Sequence, residues 1–266
     1  CLSASGFIFN REMIQEYAPN YIDGMPLGTS HDTGSGIRLG QSVGGKTDHM
    51  NRVTAWRMIN PPMAFANGLV VNKNGIRFGN EMVYGATLGD AICEDHNGKA
   101  YLILDKELFV KAKKQAVSSL PFQRDSARVL MYFNAKKRNT IEKLAKIYNL
   151  PSKNLSNAID KYNIAAKGNT NCEFGKSSKD MKEIKPPYYI MDISINSTMA
   201  PLPCLTLGGL VVNEETGEVL DQANNEIPGL YAAGRTAVGV CSNIYVSGLS
   251  VADCIFSGRR IGQNLK

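Results

Sequence analysis

The last third of the chain constrains it most. Three segments follow one another there: Leu205–Val212 (LTLGGLVV), Ile227–Arg235 (IPGLYAAGR) and Tyr245–Asp253 (YVSGLSVAD), the last running on into Ser257–Arg260. They read as strand, turn, strand, glycine-rich loop and closing helix. Gly208, Gly209 and Gly234 carry no Cβ, so the backbone there is expected to approach something flat and bulky. Gly248, Leu249 and Ser250 place N–H groups at the start of the final helix. Such an end carries a positive partial charge and favours an anion or a developing negative charge.

The remainder is globular in character. Of 266 residues, 43% are hydrophobic and 20% charged, which excludes a disordered tail, a collagen or a coiled-coil rod. No run approaches the ~20 apolar residues of a membrane helix, and no basic-then-apolar leader is present. The sequence starts at Cys1 rather than at methionine, as expected of a processed protein or a piece of a longer one. Six cysteines and three histidines show neither C-x-x-C nor H-x-x-x-H spacing, so no zinc site is expected. Their wide spacing suggests reduced thiols and a cytoplasmic setting.

The net charge of +6 is locally concentrated: eleven Lys or Arg fall between Lys106 and Lys146. With no interleaved aromatic and glycine pattern, this reads as a solvated helical face rather than a nucleic-acid surface.

Along the chain, residues 1–10 read as a short strand and Arg11–Tyr17 as a helix. Leu69–Val71, Arg77–Phe78 and Tyr101–Asp105 read as sheet pieces between Asn-Gly turns. Asn139 with Glu142 suggests a capping box for a helix carrying Ile141, Leu144, Ala145 and Tyr148. Pro151-Ser152 opens a second helix with Leu155, Ala158, Ile159 and Tyr162 as its stripe. This pair has the outline of a helix-turn-helix. Its second helix offers only Lys153 and Lys161 as cations, so a covering hairpin is expected instead.

Gly40–Thr47 (GQSVGGKT) satisfies the phosphate-loop pattern, with Lys46 for terminal phosphates and Thr47 for Mg²⁺. Tyr101–Asp105 supplies the apolar strand plus Asp of such a site. A nucleotide hydrolase is therefore one reading of the chain. The pattern lacks a buried strand before it, and Pro61-Pro62 interrupts the segment after it, which favours a glycine-rich helix end.

Taken together, the closing segments, Ala4-Ser5-Gly6-Phe7, Asp32–Gly36 (DTGSG) and Gly75–Glu81 (GIRFGNE) resemble FAD-dependent oxidoreductases. These form the fumarate reductase, succinate dehydrogenase and 3-ketosteroid dehydrogenase superfamily. The resemblance implies an α/β protein with an α+β cap: the carboxy-terminal part of a Rossmann-type FAD domain plus a substrate-cap domain. Implied bounds are 1–50 for a re-entry segment, 51–195 for the cap and 196–266 for the closing strands and helix. The G-x-G-x-x-G and ribose-binding acid of this family are absent, so the amino-terminal half of the FAD domain is expected to be missing. FAD contacts are implied at Ala4, Ser5, Gly6, Asp32, Gly208, Gly209, Gly234, Arg235, Gly248, Leu249 and Ser250.

Within the superfamily, fumarate reductases carry a catalytic Arg and a His where this chain has Glu81–Gly85 (EMVYG) and Pro203–Thr206 (PCLT). Two carboxylates need paired positive charge, so a fumarate reductase-like activity is the second reading. Tyr245, Ser247 and Tyr84 are more similar to 3-ketosteroid 4-dehydrogenases acting on 5α-steroids. The expected substrate is thus a small apolar ketone, with no nucleic acid and no transmembrane segment. Tyr245 would polarise the carbonyl or relay a proton, Ser247 would assist, and Tyr84 is the alternative acid or base. Trp56, Met58, Met63, Phe65 and Met82 are candidates for an apolar slot or for ordinary core.

Overall fold

Residues 1–57, 59–117 and 120–265 are described in the computed structural model, Phe122 by its backbone alone. Met58 therefore lies outside the described residues. Helix and sheet are mixed throughout, and the chain divides into two compact units: Cys1–Ala55 with Pro203–Lys266, and Trp56–Leu202.

In the second unit, β-rich segments pair into a four-stranded antiparallel sheet. The order is Leu69–Asn72, Ala100–Asp105, Tyr188–Asp192 and Lys136–Arg138. Side chains alternate across a strand, and the register puts Leu69, Val71, Tyr101, Ile103, Tyr188 and Ile190 on one face. That face packs against the helices Ile141–Ala145 and Ser152–Ala166 through Leu144, Leu155, Ile159 and Tyr162. Truncating a residue as buried as Leu155 to alanine costs about 2–5 kcal/mol. The helical pair is thus a core cover, and its stripe is unavailable to DNA. The helix cap is Thr140 rather than Asn139: its side chain accepts the Lys143 N–H at 3.3 Å. The last strand, Lys136–Arg138, is fully exposed at the sheet edge. Helices Lys106–Val117 and Pro121–Val129 carry part of the basic stretch.

The first unit is built from short strands. Pro203–Thr206 pairs parallel with Met25–Pro26 and antiparallel with Val53–Ala55. Gly209–Leu210 pairs with Thr47–Asp48, and Glu218–Leu220 with Glu226–Tyr231. Residues 1–10 do not form the expected strand: only Leu2 pairs, in a parallel bridge to Ala232. Further along, the Phe9 N–H donates to Asp32 O and the Asn10 N–H to Phe7 O. Arg77–Phe78 likewise contributes only a bridge from Arg77 to Val71. Helix Arg11–Tyr17 forms as expected, with Asn10 Oδ1 accepting the Met13 N–H. The closing helix spans Leu249–Asn264.

The phosphate-loop reading is overturned here. Gly40 lies in the last turn of the helix Ser35–Ser42, where a Cβ would sit 2.4 Å from Leu210. The amides of Val43, Gly44, Gly45 and Lys46 donate to Gly40 O, Gln41 O, Gly40 O and Leu220 O. No amide of that run is left to cradle a phosphate, and Lys46 Nζ donates to Asn224 at 2.9 Å. The glycines serve a tight helix end.

Among the described residues, no helix is long and apolar enough to cross a membrane. No group of His, Cys, Asp and Glu there could hold a metal ion. None of the six cysteines is in a disulfide.

Candidate active site

Two buried threonines organise the first unit's turns. Thr206 Oγ1 accepts the Phe7 N–H at 3.1 Å, and a Cβ on Gly6 would lie only 2.1 Å from that oxygen. Thr236 Oγ1 donates to Ser5 O at 3.0 Å. Ser5 itself has φ 62°, a left-handed turn conformation. Gly6 O accepts the Gly34 N–H, and Gly36 packs against both Ala4 and Thr236. The turn at Ala4-Ser5-Gly6 is thereby pinned to the Thr236 turn and to the start of the helix Ser35–Ser42.

The same Thr236 turn reaches the closing helix. Arg235 Nη1 donates to Ser250 Oγ at 3.1 Å. Gly234 (φ 57°) donates its N–H to Ser257 Oγ at 3.0 Å, and Ser257 in turn donates to Asp253 O. Ser242 Oγ accepts the Gly239 N–H and donates to Leu207 O, tying the loop after the turn to the strand before it. Ala4, Ser5, Gly6, Gly234, Arg235 and Ser250 are therefore brought into one connected network. Sequence reasoning missed Thr206 and Thr236, which pin it; the available signal was a threonine two residues from a glycine in an otherwise apolar stretch.

Gly208 and Gly209 join this network for a reason internal to the protein. A Cβ on Gly208 would lie 2.2 Å from His49 O, and one on Gly209 would lie 2.5 Å from Thr236 O. What these glycines let approach is the chain's own backbone. Asp32 is buried on a separate turn, where its carboxylate accepts from the Thr29 amide and hydroxyl at 3.4 Å. It does not join the Arg235–Ser250 contact.

Gly248 caps the closing helix in the left-handed region (φ 92°), with no atom within 4 Å of where its Cβ would stand. The Leu249 amide donates to Val246 O at 3.1 Å, while the next amides of this 16-residue helix lack intrahelical acceptors, so this end presents positive partial charge beside open backbone. Tyr245 is half-buried and Ser247 exposed on the segment leading into it. His49, a residue that sequence reasoning assigned no role, sets its ring nitrogen 2.9 Å from Asn243 Oδ1, two residues before Tyr245. A cavity of about 400 Å³ lies alongside the closing helix, lined by Val212, Val240, Phe256 and Arg260 among others.

Tyr84 belongs to the second unit, just before the helix Gly85–Glu94, and accepts the Leu88 N–H on its carbonyl. Its ring meets Trp56 edge-on at 4.6 Å. Of the other slot candidates, Phe65 is fully buried core, while Met63 is exposed and Met82 half-buried.

Comparison with known proteins gives a consistent picture. The FAD binding domain family matches residues 2–248. A 3-oxo-5-alpha-steroid 4-dehydrogenase of Comamonas testosteroni is 41% identical over 236 residues, covering 88% of this chain and 44% of that protein. A probable fumarate reductase of Shewanella frigidimarina is 27% identical, over 99% of this chain and 43% of its own length. Among solved structures, a 3-ketosteroid-delta4-(5alpha)-dehydrogenase from Rhodococcus jostii, in complex with 4-androstene-3,17-dione, superposes with a TM-score of 0.84. It is 27% identical and is matched over 99% of this chain and 51% of that one. The chain thus spans about half the length of these relatives.

Proposed function

Because the chain belongs to the FAD binding domain family, we propose that it is the carboxy-terminal portion of an FAD-dependent dehydrogenase acting on a carbon–carbon bond beside a ketone, with a flat, steroid-like substrate. The observation that carries this reading is the hydroxyl-pinned turn network converging on the open amino end of the closing helix. Identity to a 3-oxo-5-alpha-steroid 4-dehydrogenase supports the substrate class.

The residues fit the cofactor. Gly248 leaves its backbone open to a planar group, and the helix end complements negative charge. The first turn, at Leu249 and Ser250, would hold the electron-accepting end, with Ala4, Ser5, Gly6, Gly208, Gly209, Gly234 and Arg235 shaping the adjoining wall. Asp32 sits on the neighbouring turn, where its carbonyl accepts the Phe9 N–H at 3.0 Å. Bound FAD supplies the two-electron acceptor.

Desaturation beside a ketone removes one proton from carbon and one hydride. The Tyr245 hydroxyl donates a hydrogen bond to the ketone oxygen and stabilises the enolate as the proton departs. Ser247 orients that hydroxyl, and Tyr84 is the second candidate for the proton acceptor. Residues 51–195 take the role of substrate cap, and residues 1–50 and 196–266 that of the flavin domain. A dicarboxylate is disfavoured because Tyr84 and Cys204 lie in the two segments where fumarate reductases carry Arg and His.

The test is Tyr245→Phe in the full-length, flavin-loaded protein, with a 5α-3-ketosteroid and an artificial electron acceptor. Turnover should fall by ~10²-fold while flavin absorbance is retained. Unchanged turnover removes Tyr245 from the chemistry, and faster turnover with fumarate than with the steroid overturns the substrate class.

A further inference from the structure

The second unit encloses a cluster of charges that the proposed chemistry does not use. Arg77, Glu81 and Lys176 have side chains 4%, 1% and 0% exposed. Arg77 grips Glu81 with two bonds, Nε to Oε1 at 2.9 Å and Nη2 to Oε2 at 2.8 Å. Lys176 Nζ donates to Glu81 Oε2 at 2.8 Å, to Ala66 O at 2.6 Å and to Gly68 O at 3.0 Å. Burial pulls the Lys176 amine below its ordinary value and Tyr162 Oη also lies 3.2 Å away, but those three partners only accept, so all three protons are used and the group is held as an ammonium. The phenol of Tyr162 donates to Asn67 O and is neutral; burial pushes its pKa well above the usual phenol range. Two buried cations thus face one carboxylate, and an uncompensated buried charge is costly.

The missing negative charge has one source nearby. Arg77 Nη1 donates to Cys172 Sγ, 3.0 Å away. A guanidinium N–H is thus aimed at an atom that accepts weakly as a thiol and strongly as a thiolate. Burial pushes the thiol up, but the opposing influences, led by the hydrogen bond from Arg77, hold it below the ordinary value. Cys172 is half-buried and lines a cavity of about 240 Å³ with Arg77, Tyr162, Ala165 and Thr170. The other charged groups on that wall, Lys161 and Glu173, are exposed to solvent and of opposite sign.

We propose that Cys172 is a thiolate completing the Arg77–Glu81–Lys176 cluster, and that it is a modification site for low-molecular-weight disulfides entering this cavity. The Cys172 sulfur attacks one sulfur of the disulfide. A new S–S bond forms, the reagent's S–S bond breaks, and its second sulfur leaves as a thiolate with the bonding pair. Cys172 is oxidised and the reagent reduced, and Arg77 keeps its proton throughout. The inference does not depend on the flavin reading.

The purified native protein suffices for the test. Iodoacetamide labelling at Cys172 is followed by peptide mass spectrometry at pH 8 and pH 6, beside N-acetylcysteine in the same buffers. The free thiol slows roughly 80-fold over this interval as its thiolate fraction falls, whereas Cys172 should slow by clearly less. With a small disulfide at pH 6, one adduct should form at Cys172 and be released by dithiothreitol. A Cys172 rate that falls in step with N-acetylcysteine, or a Cys172 that stays unlabelled in the folded protein at both pH values, overturns the proposal.

Discussion

The two units hold their key residues in place by opposite means. In the first, the turns that meet the closing helix are fastened by neutral hydroxyls: Thr206, Thr236, Ser242 and Ser257 each bond to backbone. In the second, the segment Gly75–Glu81 is fixed by an almost wholly buried ion cluster. Neutral bonds contribute about 1 kcal/mol each and leave nearby backbone free of strong local fields. A buried ion cluster is far less forgiving, because removing one member strands the others. A surface that must accept a cofactor is suited by the first device, and a scaffold that must not shift by the second.

Four measurements sharpen or break this contrast. The largest effect is expected from Glu81→Gln, which leaves Arg77 and Lys176 buried without their carboxylate and should cost about 3–5 kcal/mol. Trp56, the single tryptophan, lies in the same unit, so its fluorescence in a denaturant melt reads the loss directly. A variant as stable as the parent would show that the cluster does not hold this unit together.

Acid should reveal the same group. Burial pushes the Glu81 carboxyl up, but Arg77 and Lys176 outweigh it and hold it below its usual value. A carboxylate depressed in the folded state stabilises above the unfolded value of about 4.3, and that contribution disappears as pH falls through the folded value. The second unit should therefore lose stability below about pH 4, with a flatter response in the Glu81→Gln protein. Identical acid profiles would count against the linkage.

In the first unit the effects are smaller. Thr236→Val removes the donor to Ser5 O and should destabilise by about 2 kcal/mol, while weakening flavin retention more than it weakens the fold. Gly248→Ala should cost only about 1 kcal/mol, because alanine resists the left-handed region. Its diagnostic effect is on cofactor affinity measured by flavin fluorescence. If that affinity is unmoved, the open backbone at Gly248 is not where the cofactor lies.

Legibility in the sequence tracks the range of the forces involved. Periodic stripes such as Leu155, Ala158, Ile159 and Tyr162 are local and readable, as are the closing helix and its glycine cap. Residues 1–10 suggest a strand by their apolar content, yet that content alone does not supply a partner; only Leu2 finds one. The turn network is half-readable. Its glycines stand out, but Thr206 and Thr236 act on residues roughly two hundred positions away. No spacing rule reports such pairings. The ion cluster is the clearest case: the spacing of Arg77 and Glu81 is visible, whereas Lys176 and Cys172 arrive from a loop nearly a hundred residues later.

The four-stranded sheet stops at Lys136–Arg138, three consecutive cations along an edge whose backbone faces solvent. A bare strand edge is a template for any chain that can lie beside it, and self-association through such edges is a common hazard. Here two copies brought edge to edge would set like charges against each other. The part of the sequence that first suggests an attraction for polyanions thus acts, in the folded molecule, as insulation that keeps the sheet from growing.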